Sequence, residues 1–342
     1  MLQRLKQIIA VLVVICCLIS GCTVKDESPK FESSFFAMNT YMTFTVYGNN
    51  GETVCKAAKK KVQELERLWS ATDPTSEIYA INHSDGKKTK ISRETKDILS
   101  FTLEMANQTN GALDPTIYPI LCAWGFTTDK KQVPNQQRIE ELLELVDYKK
   151  IKLDKNHVTV FNGVELDLGA TGKGYTADLI VEMMKEQEIH SALFSLGGNI
   201  QAIGSRPDGS NWQIGIRNPQ GQGNLGILEI SNVAVVTSGR YENYFEQDNR
   251  IYCHIIDPTS GYPVNNGLQT VTIIGQTGRL CDALSTALFV MGQDKAEAYW
   301  RKFGGFEMIL ITDQNEIFLT EGIVDQFTLK NENIKSVQVI KK

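Results

Sequence analysis

Histidine and cysteine are scarce in this sequence, with 4 and 7 residues in a chain of 342. Three of the cysteines lie within the first 22 residues, and the other four lack the CxxC spacing of a paired zinc ligand. This spacing excludes a cysteine zinc site and a framework of several disulfides, while one disulfide remains open. Without a cluster of histidines or thiolates, the sequence does not favour a soft metal. The four later cysteines are Cys55, Cys122, Cys253 and Cys281.

An excess of positive charge is also missing, because the formal net charge is −5. The one basic run, Lys59–Lys61, lies on the polar side of a helical pattern. Nucleic acid is therefore not an expected partner, since binding it requires a basic face. No fixed-period repeat is present, so a repeat architecture is not indicated.

The N-terminus indicates export. Arg4 and Lys6 precede an apolar run over residues 8–19, which is too short to span a bilayer and is typical of a signal-peptide core. Residues 18–22, Leu-Ile-Ser-Gly-Cys, resemble the lipobox of bacterial lipoproteins. This resemblance implies cleavage before Cys22 and lipidation of its thiol, with an uncleaved short anchor as the alternative. Either form predicts a protein tethered to the bacterial cell membrane on its extracytoplasmic side.

Three segments follow from this reading. Residues 1–21 are predicted to be a lipoprotein signal peptide and residues 22–32 a polar tether. Residues 33–342 are predicted to form the folded domain. Within it, period-two alternation predicts a strand at 42–46, and apolar spacing predicts helices at 54–69, 95–108 and 135–146. Beyond residue 166, strands mixed irregularly with helices at 174–186, 283–291 and 294–302 predict an α+β fold.

The glycine-bearing segment Asp167–Tyr175 resembles a phosphate-binding loop only superficially. A Walker loop has glycine six residues before its lysine and serine or threonine directly after it, whereas Lys173 has Asp167 and Gly174 at these positions. The third glycine of a dinucleotide fingerprint is replaced by Ala177. The simpler alternative is a tight strand-to-helix turn with a solvated lysine. The pattern alone does not decide between a ligand loop and a turn.

Polar residues at helical spacing mark a second segment. On a helix, Asp282, Ser285 and Thr286 occupy positions i, i+3 and i+4 and share one face in an otherwise apolar stretch. A carboxylate and a hydroxyl suit a hard cation such as Mg²⁺, which takes few protein ligands. Alternatively, Asp282 is an ordinary helix N-cap.

Taken together, these and other segments resemble the ApbE family of FAD:protein FMN transferases, and the resemblance covers nearly all of the predicted domain. The fold that the resemblance implies is an ApbE-like α+β fold with an FAD cleft between two lobes. The segments that carry it are, in chain order, Phe36–Thr40, Thr75–Asn82, Gly111–Thr116, Trp124–Phe126, Asp167–Tyr175, Leu196–Asn199, Thr237–Gly239, His254–Gly261 and Asp282–Thr286.

The resemblance also implies a set of site residues. Mg²⁺ would be bound by the backbone carbonyl of Ala170 and the side chains of Asp282 and Thr286. FAD, as substrate, would contact residues spread over the chain, namely Met38, Tyr79, Ala112, Leu113, Asp114, Asp167, Lys173, Ile256 and Ser285.

Mg²⁺-dependent transfer of the FMN moiety of FAD to a threonine of an exported acceptor protein, with release of AMP, is the implied reaction. The acceptor would carry a Ser/Thr-Gly-Ala-Thr motif. Asp282 and His254 are the predicted catalytic residues. His254 is the candidate base for the threonine proton, because imidazole titrates near neutral pH and the other three histidines lie in turn-like surroundings. Taken alone, a histidine between apolar neighbours such as His254 is more often a hydrogen-bonded core histidine than a catalyst. An Mg²⁺-dependent FAD pyrophosphatase and a non-catalytic flavin-binding lipoprotein remain alternatives.

Overall fold

The computed structural model describes residues 28–128, 130–161, 163–331 and 334–342. The predicted signal peptide and the lipidation site at Cys22 lie outside these residues. The first strand begins at Lys30, so residues 30–32 of the predicted tether belong to a strand. Helices and strands alternate irregularly along the chain, and the predicted α+β class is confirmed.

A mixed nine-stranded sheet forms the centre of the molecule. Its neighbouring strands are antiparallel, except for the last two, which are parallel. With strands numbered in chain order, the spatial order is β1 (Lys30–Ala37), β2 (Thr40–Tyr47), β6 (Ser191–Leu196), β7 (Asn199–Ile203), β10 (Ala234–Gly239), β13 (Leu268–Gly275), β14 (Phe306–Thr312), β15 (Glu316–Thr320) and β17 (Ser336–Ile340).

Smaller sheets cover or extend this centre. One three-stranded sheet has the order β16 (Phe327–Leu329), β9 (Asn224–Ile230), β8 (Trp212–Arg217), and the other has the order β3 (Thr89–Lys90), β5 (His157–Val160), β4 (Ile151–Asp154). A two-stranded hairpin consists of β11 (Tyr244–Gln247) and β12 (Arg250–Cys253).

Eight α-helices lie within the described residues. The helix over residues 136–143 ends three residues before the predicted limit, and the helix that carries Asp282 begins at Gly278 rather than at residue 283. The helices are α1 (Gly51–Trp69), α2 (Glu77–Asn82), α3 (Arg93–Gln108), α4 (Tyr118–Ala123), α5 (Gln136–Leu143), α6 (Gly172–Glu186), α7 (Gly278–Met291) and α8 (Gln293–Phe303).

The central strands are buried on both faces. Because successive side chains of a strand point to opposite faces of the sheet, neighbouring residues pack in different cores. Val236 and Ile273 pack in the core that contains α7 and α8, whereas Val235 and Ile274 pack against β8 and β9 on the opposite face. The sheet is therefore enclosed by helices on one side and by a second sheet on the other. In β13, accordingly, every residue except Gln269 is buried, with no alternation between buried and exposed positions.

No helix within the described part of the chain is both long and apolar enough to cross a membrane. The four cysteines that follow Cys22 are all free thiols, so the single disulfide that the sequence left open does not form among them.

Candidate active site

Helices α6 and α7 cross at two glycines, and this crossing builds one wall of the site. A Cβ on Gly174 would lie 2.6 Å from the Cβ of Asp282 and closer still to the carbonyl oxygen of Gly278. A Cβ on Gly278 would lie 2.8 Å from the carbonyl oxygen of Gly174. Glycine is therefore required at both positions by the close approach of the two backbones. The Asp167–Tyr175 segment is thus a turn into a tightly packed helix, as the simpler sequence interpretation held, and it also lines the cavity described below.

Two aspartates at this crossing have different surroundings. Asp178 accepts hydrogen bonds from the backbone N–H of Gly278 at 2.6 Å and from the side chain of Arg279 at 2.5 Å, and so joins the two helices. Asp282 accepts one backbone N–H, from Gly174, at 2.8 Å. Burial raises the pKa of the Asp282 carboxyl, while Lys173 and the Gly174 N–H lower it. Asp282 is therefore a buried acid that a direct ion pair does not neutralise within the described residues.

The position of Asp282 in α7 corrects one sequence alternative. The N-cap of α7 is Thr277, and Asp282 lies more than one turn inside the helix. Its carboxylate cannot cap the helix that contains it and instead contacts the start of α6. The face shared by Asp282, Ser285 and Thr286 is helical, as the spacing predicted.

Oxygen donors fit the predicted Mg²⁺ site. Ala170 precedes Thr171, the N-cap of α6, so its carbonyl receives no N–H from that helix, and it accepts no hydrogen bond within residues 28–128, 130–161, 163–331 and 334–342. The Gly174 N–H is one of the first N–H groups of α6, which have no partner within the helix, and it donates to Asp282. Thr286 contacts the hydroxyl of Ser238 at 3.4 Å and lines the same cavity as Ala170 and Asp282. A carbonyl, a carboxylate and a hydroxyl are the donors that Mg²⁺ prefers.

An unpaired donor lies on the same wall. The side chain of Asn199 is 1% exposed, and its oxygen accepts a hydrogen bond from Gln201 at 2.9 Å. Its nitrogen has no hydrogen-bond partner among the described residues, although it lies near enough to Asp282 to lower the pKa of that carboxyl. A buried amide N–H that faces a cavity and has no hydrogen-bond partner is a feature of a ligand site. Such a donor costs free energy unless a ligand accepts a hydrogen bond from it.

Three hydrogen bonds from backbone N–H groups shape the part of the cavity lining that contains Asp114 and Asp167. Asp114 accepts hydrogen bonds from the N–H of Thr116 at 2.9 Å and from that of Tyr148 at 3.0 Å, so much of its acceptor capacity is used by the protein. Burial raises the pKa of Asp114, and these donors lower it. Asp167 donates its N–H to the carbonyl of Pro115 at 2.8 Å, which holds the glycine segment against this turn. Burial also raises the pKa of the Asp167 carboxyl.

His254 follows directly after β12 and is held by the hairpin. Its backbone N–H donates to the carbonyl of Asn243 at 2.9 Å, and its Nδ1 lies 3.2 Å from the same oxygen. A carbonyl oxygen only accepts, so Nδ1 carries the proton and Nε2 of the neutral ring is free to accept one. Burial, assisted by Lys173, lowers the pKa of His254 to about 4. The ring is therefore neutral at neutral pH, and it lines the cavity described below.

These parts enclose one cavity of about 340 Å³, in the size range of small-molecule sites. It lies where the central sheet, α6 and α7 meet the segments 112–121 and 254–258. The structure brings together ten of the residues proposed from sequence, namely Ala112, Leu113, Asp114, Asp167, Ala170, Lys173, His254, Ile256, Asp282 and Thr286.

The other three predicted FAD contacts lie off the cavity lining. Ser285 is fully buried and bonds to the Ser238 hydroxyl at 2.8 Å. Met38 adjoins Asn39, which does line the cavity, and Tyr79 stacks on His83 with 3.8 Å between ring centroids. Contacts of these three residues with FAD therefore remain predictions.

Sequence reasoning did not single out Glu242, which also lines the cavity. Glu242 is an exposed residue, but desolvation of its carboxyl raises the pKa of Glu242 to about 7, with Lys173 lowering it and Asp282 raising it further. Glu242 lies in no motif used above, so the sequence carried no signal for it. Asn199 and Ser238 were also missed as site residues, although both belong to segments on which the family resemblance rests.

Comparison with known proteins gives one consistent family. The ApbE family matches residues 38–310. A FAD:protein FMN transferase from Treponema pallidum is 31% identical over 341 residues, covering 93% of this chain and 94% of the relative. A FAD:protein FMN transferase from Escherichia coli K12 is 28% identical, covering 88% and 91% of the two chains.

Solved structures show the same fold. The ApbE protein of Thermotoga maritima superposes with a TM-score of 0.83 at 32% identity, covering 87% of this chain and 99% of its own. The apo flavinyl transferase ApbE of Pseudomonas stutzeri superposes with a TM-score of 0.80 at 25% identity, covering 89% and 98%. With the family matched across most of the chain and a shared fold, this protein is an enzyme of the transferase class and belongs to the ApbE family.

Proposed function

We propose that this protein transfers the FMN moiety of FAD to a threonine hydroxyl of an exported acceptor protein, in an Mg²⁺-dependent reaction that releases AMP. The relatives named FAD:protein FMN transferase support FAD as substrate and a protein as acceptor. The observation that carries the proposal is one cavity containing an un-neutralised Asp282, the Lys173 ammonium and a neutral His254. A carboxylate, a cation and a base are the groups that phosphoryl transfer requires.

The metal and Lys173 account for binding of the diphosphate. Asp282, Thr286 and the carbonyl of Ala170 would bind Mg²⁺, which supplies charge neutralisation to the phosphate oxygens. Lys173 bonds to the carbonyl of Gly169 at 3.2 Å, which keeps its ammonium at the cavity wall. Its positive charge would hold the anionic diphosphate of FAD in position and lower the repulsion that the attacking oxygen meets.

His254 accounts for the proton. In the proposed reaction the threonine oxygen bonds to the flavin-side phosphorus, the bond from that phosphorus to the AMP oxygen breaks, and the hydroxyl proton passes to Nε2 of His254. The Asn243 carbonyl holds the Nδ1–H tautomer throughout. A pKa of about 4 makes the free imidazole a weak base, and the negative charge of a bound diphosphate would raise that pKa toward neutrality.

The acceptor and the location follow from the sequence rather than from the described residues. We infer an acceptor that carries a Ser/Thr-Gly-Ala-Thr motif, on the basis of the family resemblance. Lipidation at Cys22 would tether the enzyme to the bacterial membrane on the extracytoplasmic side, where an exported acceptor is accessible. The lipobox-like residues 18–22 support this location.

The test uses the protein with FAD, Mg²⁺ and a peptide containing Ser-Gly-Ala-Thr, with mass spectrometry to detect the peptide that has gained FMN. We expect EDTA to abolish labelling. We expect His254→Gln to lower its rate about 100-fold without weakening FAD binding, because general-base catalysis contributes effects of this size. Labelling that persists in EDTA would contradict the metal requirement. Release of FMN and AMP without any labelled peptide would instead support an FAD pyrophosphatase.

A further inference from the structure

Strand β1 is an edge of the nine-stranded sheet, and one side of its backbone is unpaired. The Gly48 N–H donates to the Pro29 carbonyl at 3.0 Å, which shows that odd-numbered residues of β1 bond to β2. The N–H and C=O groups of the even-numbered residues therefore point away from the sheet. No described residue pairs with them. These residues are Lys30, Glu32, Ser34 and Phe36.

The two ends of this edge differ in character. At the start of β1, Lys30 and Glu32 form an exposed ion pair at 2.7 Å, a charged feature that protects edge strands from unwanted pairing. The other end has no charge and carries the most exposed aromatic pair in the described residues. Phe36 is 68% exposed and lies opposite Tyr41, which is 60% exposed. The end of β1 near Phe36 can therefore bind an extended chain with apolar side chains.

This end also leads directly to the cavity. Met38 and Asn39 form the two-residue turn between β1 and β2, with φ angles of 48° and 56°. Asn39 lines the cavity that contains His254 and Asp282. A strand that pairs with β1 up to Phe36 therefore ends beside the turn that contributes Asn39 to the cavity lining.

We propose that the outer edge of β1 is the docking site for the acceptor protein, which adds an extended segment to the sheet as a tenth strand. This inference rests on the proposed transfer of FMN to a protein. The occupant is the acceptor chain beside its modified threonine, because that threonine has to enter the cavity and the turn at the end of β1 contributes Asn39 to the cavity lining. Backbone pairing supplies affinity, and Phe36 and Tyr41 select apolar side chains at the position nearest the threonine.

In strand addition, every second backbone N–H of the added chain bonds to the edge strand, and peptides with altered backbone nitrogens test for this alternation. We would prepare Ser-Gly-Ala-Thr peptides in which single backbone nitrogens flanking the motif are methylated one after another. Every second methylation removes an N–H that bonds to β1, and we expect it to raise KM about five-fold, whereas methylation at the intervening positions has little effect. Equal KM values along the flank would overturn the proposal.

A matched pair of enzyme variants tests the edge itself. Ser34→Pro removes an outward N–H and blocks strand addition, while the bonds from β1 to β2 are retained because Ser34 makes none of them. We expect the full-length variant in detergent to show a KM for the peptide about ten-fold higher, with kcat and FAD affinity unchanged. Ser34→Ala keeps the N–H and should behave as the unaltered protein. A normal KM in Ser34→Pro would overturn the docking site.

The outcomes separate this inference from the proposed function. If the unaltered protein labels no acceptor, the proposed function fails; if it labels the peptides without an alternating pattern, only the docking site fails. A second copy of this chain is the competing occupant. Conversion of a dimer to a monomer by Ser34→Pro, with peptide labelling unaltered, would assign the edge to self-association and overturn the inference.

Discussion

The two walls of the cavity are built in different ways. The wall formed by α6 and α7 has two backbones in glycine contact, with Asp178 bonded across the crossing. The wall that carries His254 follows a two-stranded hairpin, which packs through aromatic rings such as Phe245 and Tyr252, with centroids 5.2 Å apart. One wall is set by short polar contacts and the other by apolar packing and a single carbonyl.

This difference matches the parts of the proposed reaction. A metal and a diphosphate need donors at fixed separations, and the glycine crossing would supply them with little freedom. A base needs one correct tautomer and an open nitrogen, and one backbone carbonyl is sufficient for that. Substitutions in the first wall should therefore affect stability and metal use together, unless they spare the contacts of the crossing.

The largest expected effect separates the two aspartates of the crossing. We expect Asp282→Asn to lower FMN transfer about 1,000-fold, because it removes the charged side chain proposed to bind Mg²⁺. Unfolding in urea should show unchanged or increased stability, since an un-neutralised buried carboxylate is costly and asparagine still accepts the Gly174 N–H.

Asp178→Asn is the matched control for this change. It weakens the bonds to Gly278 and Arg279, and we expect the free energy of unfolding to fall by about 2 kcal/mol while transfer per folded molecule is retained. Similar losses of activity in both variants would contradict a special role for Asp282.

A second, smaller effect tests the glycine contact. Gly174→Ala places a methyl group against the Gly278 carbonyl and Asp282, and we expect the free energy of unfolding to fall by about 2 kcal/mol. Gly172→Ala is the control in the same helix, because the nearest atom to its Cβ is Trp69 Cε3 at 3.9 Å. Chemical denaturation of both variants measures the difference. Equal stability would show that the two backbones separate at no cost.

The smallest effect concerns Glu242 and pH. The unfolded chain releases the Glu242 proton near pH 4.5, whereas the folded protein holds it until about pH 7. Folding is thus disfavoured progressively as pH rises between these values. Glu242→Gln removes that loss, so we expect the variant to be more stable than the parent at pH 8 and equal to it at pH 4. Urea unfolding at both pH values provides the measurement.

Glu246→Gln serves as the control for this prediction, because Glu246 is exposed on β11 and does not line the cavity. It should leave the stability unchanged at both pH values. A gain for Glu242→Gln that is the same at pH 4 and pH 8 would show that packing, and not titration, causes it.

Local patterns predicted most of the elements correctly and some of their limits incorrectly. The stripe over residues 54–69 and the alternation over 42–46 each appear as predicted, because burial of one face determines both periodicities. Helix α7 begins four residues before Asp282, where the close approach of α6 allows Asp178 to accept the N–H groups of Gly278 and Arg279. Apolar periodicity does not register an approach of that kind.

By itself, the sequence determined the α+β class, the family and the segments from which ten cavity residues come, because these depend on local periodicity and on ordered motifs. The tertiary structure alone decided that Ser285 faces Ser238 rather than the cavity, that the Ala170 carbonyl is left without a donor, and that Glu242 joins the site. Each of these depends on which distant backbones come into contact, and contact between distant residues has no periodicity along the chain.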